Sequence, residues 1–233
     1  MVFPFIHLTN EQTSGLGRLK KKSIMLQFSL KDIQAMARIP RLTLINSITG
    51  FKSANLIGTV NTEGVTNLAV FSSAVHIGSE PPLIGIVTRP IVSDGKTSRH
   101  TYNNIKSSGF FTINHVGMSI IEQAHQTSAS YPDGVSEFEA VGLTPQYLGL
   151  KNVPYVAESQ IKMGLEFVEE YHIKANQTTM IIGKVVELFL PKDCLDEKGN
   201  LDLNLAQTVA LSGLDTYHAA EMMHRLPYAR VAK

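Results

Sequence analysis

Two arginines and a set of hydroxyl and amide side chains occur close together between residues 67 and 101. Arg89 and Arg99 carry planar guanidinium groups, each of which can form two parallel hydrogen bonds to a phosphate. A helix is expected to begin near Ser98, and the free amide groups at a helix start attract anions. The pattern therefore predicts a phosphate-binding pocket. Its candidate residues are Asn67, Ser72, Ser73, Arg89, Ser98, Arg99 and Thr101.

A short segment after the second arm of a predicted hairpin, Phe71 to Ala74, offers backbone amides that could bind a ring system beside this pocket. Taken one at a time, all of these residues also have ordinary interpretations. The serines could be strand-end hydroxyls, the arginines could be surface charges, and Asn67 could cap a turn. The residues by themselves leave both interpretations open.

Other common catalytic motifs are missing from the sequence. Gly15-Leu16-Gly17 lacks the third glycine of a dinucleotide-binding fingerprint. The sequence contains no P-loop, no HExxH metal motif and no GxSxG nucleophile motif. The eight histidines are scattered, and no acid–base pair stands out. We therefore predict neither a metal site nor a catalytic side chain.

The composition excludes several classes of protein. The 233 residues are 43% hydrophobic and 18% charged, which excludes an intrinsically disordered chain. A net charge of +1 gives no electrostatic reason to expect nucleic acid or a membrane surface as the partner. No apolar run approaches the roughly 20 residues needed to span a bilayer. The single Cys194 excludes an intrachain disulfide and favours a cytoplasmic protein.

Residue periodicity predicts a mainly β fold in which short helices do not alternate with strands. This pattern favours a mostly antiparallel barrel with peripheral helices over a doubly wound sheet. Residues 1–24 are expected to form a loosely ordered leader, with Met25 as an alternative start, and residues 25–233 to form one domain. The predicted helices are 29–37, 96–107 and 119–126, and residues 214–225 are predicted as a terminal helix or tail. The predicted strands are 43–48, 53–60, 65–73, 83–88, 110–116, 161–167 and 178–190.

Three segments, in this order and at this spacing, resemble the flavin reductase-like proteins with an FMN-binding split barrel, and particularly the flavoredoxin-like branch. The segments are TNLAVFSSAVHIGSEPPLIGIVTRP (66–90), SRHTYNNIKSSGFFTINHV (98–116) and YPDGVSEFEAVGLTP (131–145). The resemblance covers residues 39–228 and includes the terminal segment 213–230. It implies a Greek-key split β-barrel that works as a homodimer and binds FMN near the subunit interface.

The resemblance also implies roles for individual residues. The segment from Phe71 to Ala74 should line the flavin together with Asn67, and Arg89 should lie at its phosphate end. Relatives often have Lys-Asp-Thr where this chain has residues 99–101, so the role of His100 stays open, and Lys96 could add a phosphate contact. Tyr217 and His218 could close over the flavin. The implied cofactor-binding set is Asn67, Phe71, Ser72, Ser73, Ala74, Arg89, Lys96, Ser98, Arg99 and Thr101.

The resemblance implies an oxidoreductase that transfers hydride from NAD(P)H to flavin and needs no catalytic side chain, because the flavin performs the chemistry. A flavoredoxin-type electron carrier, which would exchange electrons with a protein partner without NAD(P)H, is the alternative. A ligand-binding or structural barrel that has lost its flavin is a third hypothesis. The electron donor, the final acceptor and the choice between FMN and FAD stay open.

Overall fold

The structure, a computed structural model, describes residues 7–9, 25–90 and 100–231 and is built mainly from strands. The strands are β1 (His7–Thr9), β2 (Met25–Gln27), β3 (Lys52–Ser53), β4 (Asn55–Val60), β5 (Thr66–Phe71), β6 (Ala74–Ser79), β7 (Pro82–Thr88), β8 (Phe110–His115), β9 (Pro145–Gln146), β10 (Tyr155–Val156), β11 (Lys162–Ile173), β12 (Thr178–Phe189), β13 (Val209–Ser212) and β14 (Thr216–Ala219). The helices are α1 (Leu30–Ala35), α2 (Arg38–Ser47), α3 (His100–Ser108), α4 (Ile121–Gln126) and α5 (Glu137–Val141). None of these helices is long and apolar enough to cross a membrane.

Seven antiparallel strands form the main sheet, in the order β5-β4-β8-β11-β12-β7-β6. Strands β5 and β6 stand at opposite ends of this order, yet only Ser72 and Ser73 connect them. Two residues can bridge only a short distance, so the sheet must curl until its two edges approach each other. Strand β8 returns beside β4 after the β6–β7 hairpin, which is a Greek-key arrangement. The predicted split β-barrel is therefore confirmed.

Aliphatic and aromatic side chains fill the barrel interior, and Ile105 of α3 packs against them from one end. Gly183 of β12 gives the ring of Phe111 its space, because a Cβ atom at residue 183 would lie 2.5 Å from that ring. The fully buried members of this core are Ile57, Ile86, Ile105, Phe111, Ile113, Leu165 and Ile181.

The prediction of a strand at residues 43–48 is wrong, since this segment belongs to α2. The β-branched residues of the segment favour a strand locally. Pro40 is the third residue of α2, where a backbone N–H is not needed. Ser47 donates from Oγ to the carbonyl oxygen of Thr43 at 2.7 Å, a bond that is compatible with a helix.

Residues 214–225, which are predicted as a terminal helix or tail, contain no helix. Gly213 adopts a φ of +62° and turns the chain, so that Thr216–Ala219 pairs with β13 as β14. Strand β3 pairs with the other side of β13, which completes a small three-stranded sheet. Residues 220–231 have no regular secondary structure.

Part of the predicted leader is described. Residues 7–9 form β1 and pair with β2. The rest of the leader and residues 96–99 of the predicted 96–107 helix lie outside the described residues, and α3 covers most of the remainder of that helix. The loose order of the leader stays a prediction.

Desolvation of His115 at the end of β8 should make the stability of the fold depend on pH. Its removal from water lowers the pKa of this histidine from 6.5 to about 4. Between these two pH values the unfolded chain binds a proton at residue 115 that the folded chain does not bind. The contribution of this group to the free energy of unfolding is therefore fully present above pH 6.5 and is lost as the pH falls toward 4. The loss amounts to about 3 kcal/mol.

We expect His115→Gln to reduce the difference between the free energies of unfolding at about pH 7 and about pH 4.5, measured by urea denaturation. His172→Gln is the control, because His172 is exposed and its side chain shares a hydrogen bond with that of Gln177. If the free energy of unfolding of His115→Gln falls as much between these two pH values as that of the wild type, other groups cause the pH dependence.

Candidate functional site

The predicted site residues that the structure describes form two groups, one at each end of β5. Asn67 lies near the start of β5, where it contacts α3, and Phe71 to Ala74 form the passage into β6. Four residues separate Asn67 from Phe71, which is about 13 Å at about 3.3 Å per strand residue. Only an elongated ligand can contact both groups. Lys96, Ser98 and Arg99 lie outside the described residues.

A hydrogen bond joins Asn67 and Thr101, two of the predicted site residues. Nδ2 of Asn67 donates to Oγ1 of Thr101 at 3.1 Å and to Oγ1 of Thr59 at 3.2 Å. Nδ2 of Asn104 donates to the same Thr59 oxygen at 3.1 Å. All four side chains are more than nine-tenths buried, so these bonds fix the orientation of both amides. Among the described residues, none donates a hydrogen bond to Oδ1 of Asn67 or Asn104.

A polar cavity of about 200 Å³ adjoins this network. It lies between the β4–β5 turn, the first turn of α3 and the loop at residues 133–135. Asn67 and Asn104 line it, together with Asn61, Asn103, His100 and Asp133. Acceptor oxygens without a donor suit the hydroxyl groups of a ligand, and the start of the nine-residue α3 suits an anion. The cavity is therefore suited to a polyol chain that carries a negative charge.

An ion pair joins two walls of this cavity. Nε2 of His100 lies 2.5 Å from Oδ1 of Asp133, whose side chain is 84% exposed. Behind the pair, the buried carboxylate of Glu137 accepts a hydrogen bond from the Leu68 amide at 2.9 Å. Burial raises the pKa of Glu137, although that amide and the nearby His100 work in the opposite direction. Glu137 thus ties α5 to the edge strand β5, and the His100–Asp133 pair joins the 133–135 loop to α3.

The second group surrounds the bend between β5 and β6. Phe71 and Ala74 are half-buried and pack against the barrel core. Oγ of Ser73 donates to the carbonyl oxygen of Val87 at 2.9 Å, so this hydroxyl holds the bend to β7. Arg89 is exposed and follows the end of β7, two residues beyond the partner of Ser73. The bend and Arg89 therefore lie at the same end of the barrel.

Tyr217 and His218 contact other parts of the molecule. The Tyr217 hydroxyl lies 3.4 Å from Nδ1 of His125 on α4, and Nε2 of His218 lies 2.8 Å from Oγ of Ser212 on β13. Both side chains help to hold β14 in place. Within the described ranges, no contact joins either residue to the predicted site.

Sequence reasoning missed several residues of the cavity. The His100–Asp133 pair joins positions 33 residues apart, and the Asn104–Thr59 bond joins positions 45 apart. No local periodicity predicts such pairs. The only signal for Asn104 is its place in the Asn-Asn-Ile run at the predicted helix, which the resemblance includes. In the parts of the chain that the structure describes, no three His, Cys, Asp or Glu side chains come together to hold a metal ion.

Comparison with known proteins connects this geometry to a family. Residues 49–208 match the family model described as the flavin reductase like domain. A solved split-barrel structure of the flavin reductase type from Shewanella frigidimarina is 45% identical in sequence. The match covers 88% of this chain and 100% of that chain, with a TM-score of 0.83.

Two solved structures of lower identity share the fold. Nitrilotriacetate monooxygenase component B from Bacillus cereus is 20% identical, with a TM-score of 0.75 over 87% of this chain and 98% of that chain. Flavoredoxin of Desulfovibrio vulgaris (Miyazaki F) is 23% identical, with a TM-score of 0.65 over 77% of this chain and 92% of that chain. At these identities the likeness shows the fold alone.

Proposed function

This chain belongs to the flavin reductase-like family, and from that premise we propose that it binds FMN and catalyses hydride transfer from NAD(P)H to flavin. Family membership supports a flavin-related oxidoreductase. The choice of FMN and the use of NAD(P)H are the parts that we propose.

The observation that carries the proposal is the pair of binding groups at the two ends of β5. One group has the amide side chains of Asn67 and Asn104, which donate from Nδ2 to buried hydroxyl groups, and it borders a polar cavity. The other has backbone amides at a tight bend, with an exposed arginine close by. A flavin mononucleotide is elongated and carries a ring system, a polyol chain and a phosphate. The chemistry of the described residues fits these three parts.

We assign a binding task to each group of residues. The oxygens of Asn67 and Asn104 would accept hydrogen bonds from the ribityl hydroxyls, and Thr101 holds Asn67 in place. Backbone amides from Phe71 to Ala74 would orient the ring. From the sequence, Lys96, Ser98 and Arg99, which precede α3, would bind the phosphate. Arg89 lies at the end of β5 that would hold the ring, so its predicted phosphate contact does not fit this arrangement. FMN supplies the hydride-accepting chemistry when it is bound, so the protein needs to orient it and to stabilise the charge that it gains.

The alternative is an electron carrier of the flavoredoxin type. It would bind FMN through the same residues but would receive electrons from a protein partner. The shared fold of the Desulfovibrio flavoredoxin makes this alternative worth testing. Neither function requires an acid–base side chain, so the described residues fit both.

Anaerobic reduction separates these functions. We expect the FMN-loaded protein to lose its visible flavin absorbance when NADH or NADPH is added, and to oxidise the nucleotide repeatedly when free FMN is the acceptor. Free FMN without protein is the control for the uncatalysed reaction. Bound FMN that neither nucleotide reduces would contradict the reductase proposal and favour the electron carrier. A protein that binds no FMN would contradict both the reductase and the electron-carrier proposals.

A further inference from the structure

A tight turn forms one wall of the polar cavity beside α3. The turn covers residues 132–135, and in it the Val135 amide donates to the carbonyl oxygen of Pro132 at 3.2 Å. Gly134 adopts a φ of +82°, which is typical of the third residue of a type II turn and places Asp133 at the second position. Asp133, Gly134 and Val135 all line the cavity.

The chain just after this turn is fixed to the edge strand β5. Oγ of Ser136 lies 2.6 Å from Oγ1 of Thr66, and the Glu137 carboxylate accepts the hydrogen bond from the Leu68 amide at 2.9 Å. Both partners belong to β5, which pairs with β4 in the main sheet. The turn is therefore anchored at its C-terminal end and reaches α3 from that anchor.

The tip of the turn meets α3 through a pair of side chains. Nε2 of His100 lies 2.5 Å from Oδ1 of Asp133. An ionised carboxylate only accepts hydrogen bonds, so His100 is the donor. The His100 side chain is 23% exposed and that of Asp133 is 84% exposed, and both residues line the cavity. The pair therefore stands where the cavity meets solvent.

We propose that the His100–Asp133 pair is a latch, which holds the turn against α3 and thereby slows the departure of the ligand in the cavity. The inference rests on the proposed function, because it takes that ligand to be the polyol and phosphate portion of FMN. Loss of the pair leaves the anchor at residues 136–137 in place, so the turn can swing away from α3 while the barrel stays folded. His100, whose role the sequence leaves open, is thus a positioning residue for the cofactor.

The charges of the pair act on an anionic ligand in a way that can be separated from the latch. Loss of His100 removes a group that can carry positive charge, whereas loss of Asp133 removes a negative charge. A purely electrostatic effect would accelerate ligand release in the first case and slow it in the second. Loss of a latch accelerates release in both cases. His100→Leu and Asp133→Ala are the variants to compare, because neither can form the pair.

Hydrogen exchange tests the latch without any ligand. In FMN-free protein, we expect the Val135 amide to exchange at least twofold faster in both variants than in the wild type, because this amide lies in the released turn. The Leu68 amide, which Glu137 holds, should exchange at an unchanged rate. Unchanged exchange at Val135 in both variants would show that the pair does not hold the turn and would overturn the inference.

The release of bound FMN is measured by stopped-flow fluorescence after rapid dilution of the FMN-loaded protein. We expect release to be about two- to fivefold faster in both variants, the range in which partly exposed ion pairs act. His100→Gln keeps a hydrogen-bond donor near the position of Nε2 and should recover most of the wild-type rate. Arg225→Ala is the control, because it breaks the exposed pair of Arg225 with Asp196, neither of which lines this cavity.

The outcomes distinguish the latch from the proposed function. Bound FMN that leaves both variants at the wild-type rate, or changes of opposite sign in the two, would overturn the latch and leave the proposed function standing. A wild-type protein that binds no FMN would contradict the proposed function and the latch with it. If His100→Leu does not fold, Asp133→Ala alone is decisive, because charge predicts slower release for this variant and the latch predicts faster release.

Discussion

Alanine at both Arg89 and Arg99 is expected to weaken FMN binding by about a hundredfold or more. Arg99 is assigned to the phosphate and Arg89 lies beside the group that would hold the ring, and a hydrogen bond to a charged group contributes about 1.5–3 kcal/mol. Loss of both therefore corresponds to at least two powers of ten in the dissociation constant. The quenching of flavin fluorescence during a titration with protein measures this dissociation constant.

The matched control is Lys192→Ala/Lys198→Ala, which removes the same charge from the loop before β13. Its FMN affinity should stay within about threefold of the wild type, since exposed charges remote from a ligand are screened by salt. Equal affinity of the arginine variant and the wild type would refute the phosphate assignment. The two single variants then show which arginine contributes more, because Arg89 lies at the bend end of β5 and residue 99 precedes the first residue of α3.

Gly58→Ala is expected to lower the free energy of unfolding by about 3 kcal/mol, the sum of overpacking and a disturbed buried hydrogen bond. A Cβ atom at Gly58 on β4 would collide with the Pro154 carbonyl oxygen and with Oγ1 of Thr112. These two groups already share a hydrogen bond of 2.7 Å in the interior. No flexible side chain can move aside there, so the backbone of β4 must shift.

Thermal or urea unfolding of Gly58→Ala measures this loss, which corresponds to about 10 °C in melting temperature for a chain of this size. Gly117→Ala is the matched control, because a Cβ atom at Gly117 would meet nothing closer than 3.9 Å. A Gly58→Ala protein as stable as the Gly117→Ala protein would show that the space around β4 is larger than the structure indicates.

The barrel could be predicted from the sequence where local patterns and tertiary packing agree. Residues 161–167 alternate between apolar and polar types, and Asn61 to Gly64 form the turn between β4 and β5, so the strands beside them were predicted correctly. Residues 43–47 have strand-forming side chains but lie in α2, a helix that begins at Arg38. Residues 216–219 have few apolar residues next to them in the sequence, so no local pattern predicts a strand there. Their pairing with β13 depends on the turn at Gly213.

The candidate site could be predicted only in part, for a similar reason. The spacing of Asn67 and Thr101 suggested a shared pocket, and the structure joins them by a hydrogen bond. It also places the bend at residues 71–74 at the other end of β5 from Asn67, as the rise of about 3.3 Å per strand residue requires. The partners of Thr59 and Asp133 are distant in sequence, so only the folded barrel brings them to the cavity.

Titration of the purified protein with FMN tests the central claim most directly. We expect a yellow complex with one FMN per chain, a flavin absorbance spectrum that differs from that of free FMN, and loss of this binding when Asn67, Arg89 and Arg99 are all replaced by alanine. A colourless protein whose addition changes neither the absorbance nor the fluorescence of FMN would contradict the account.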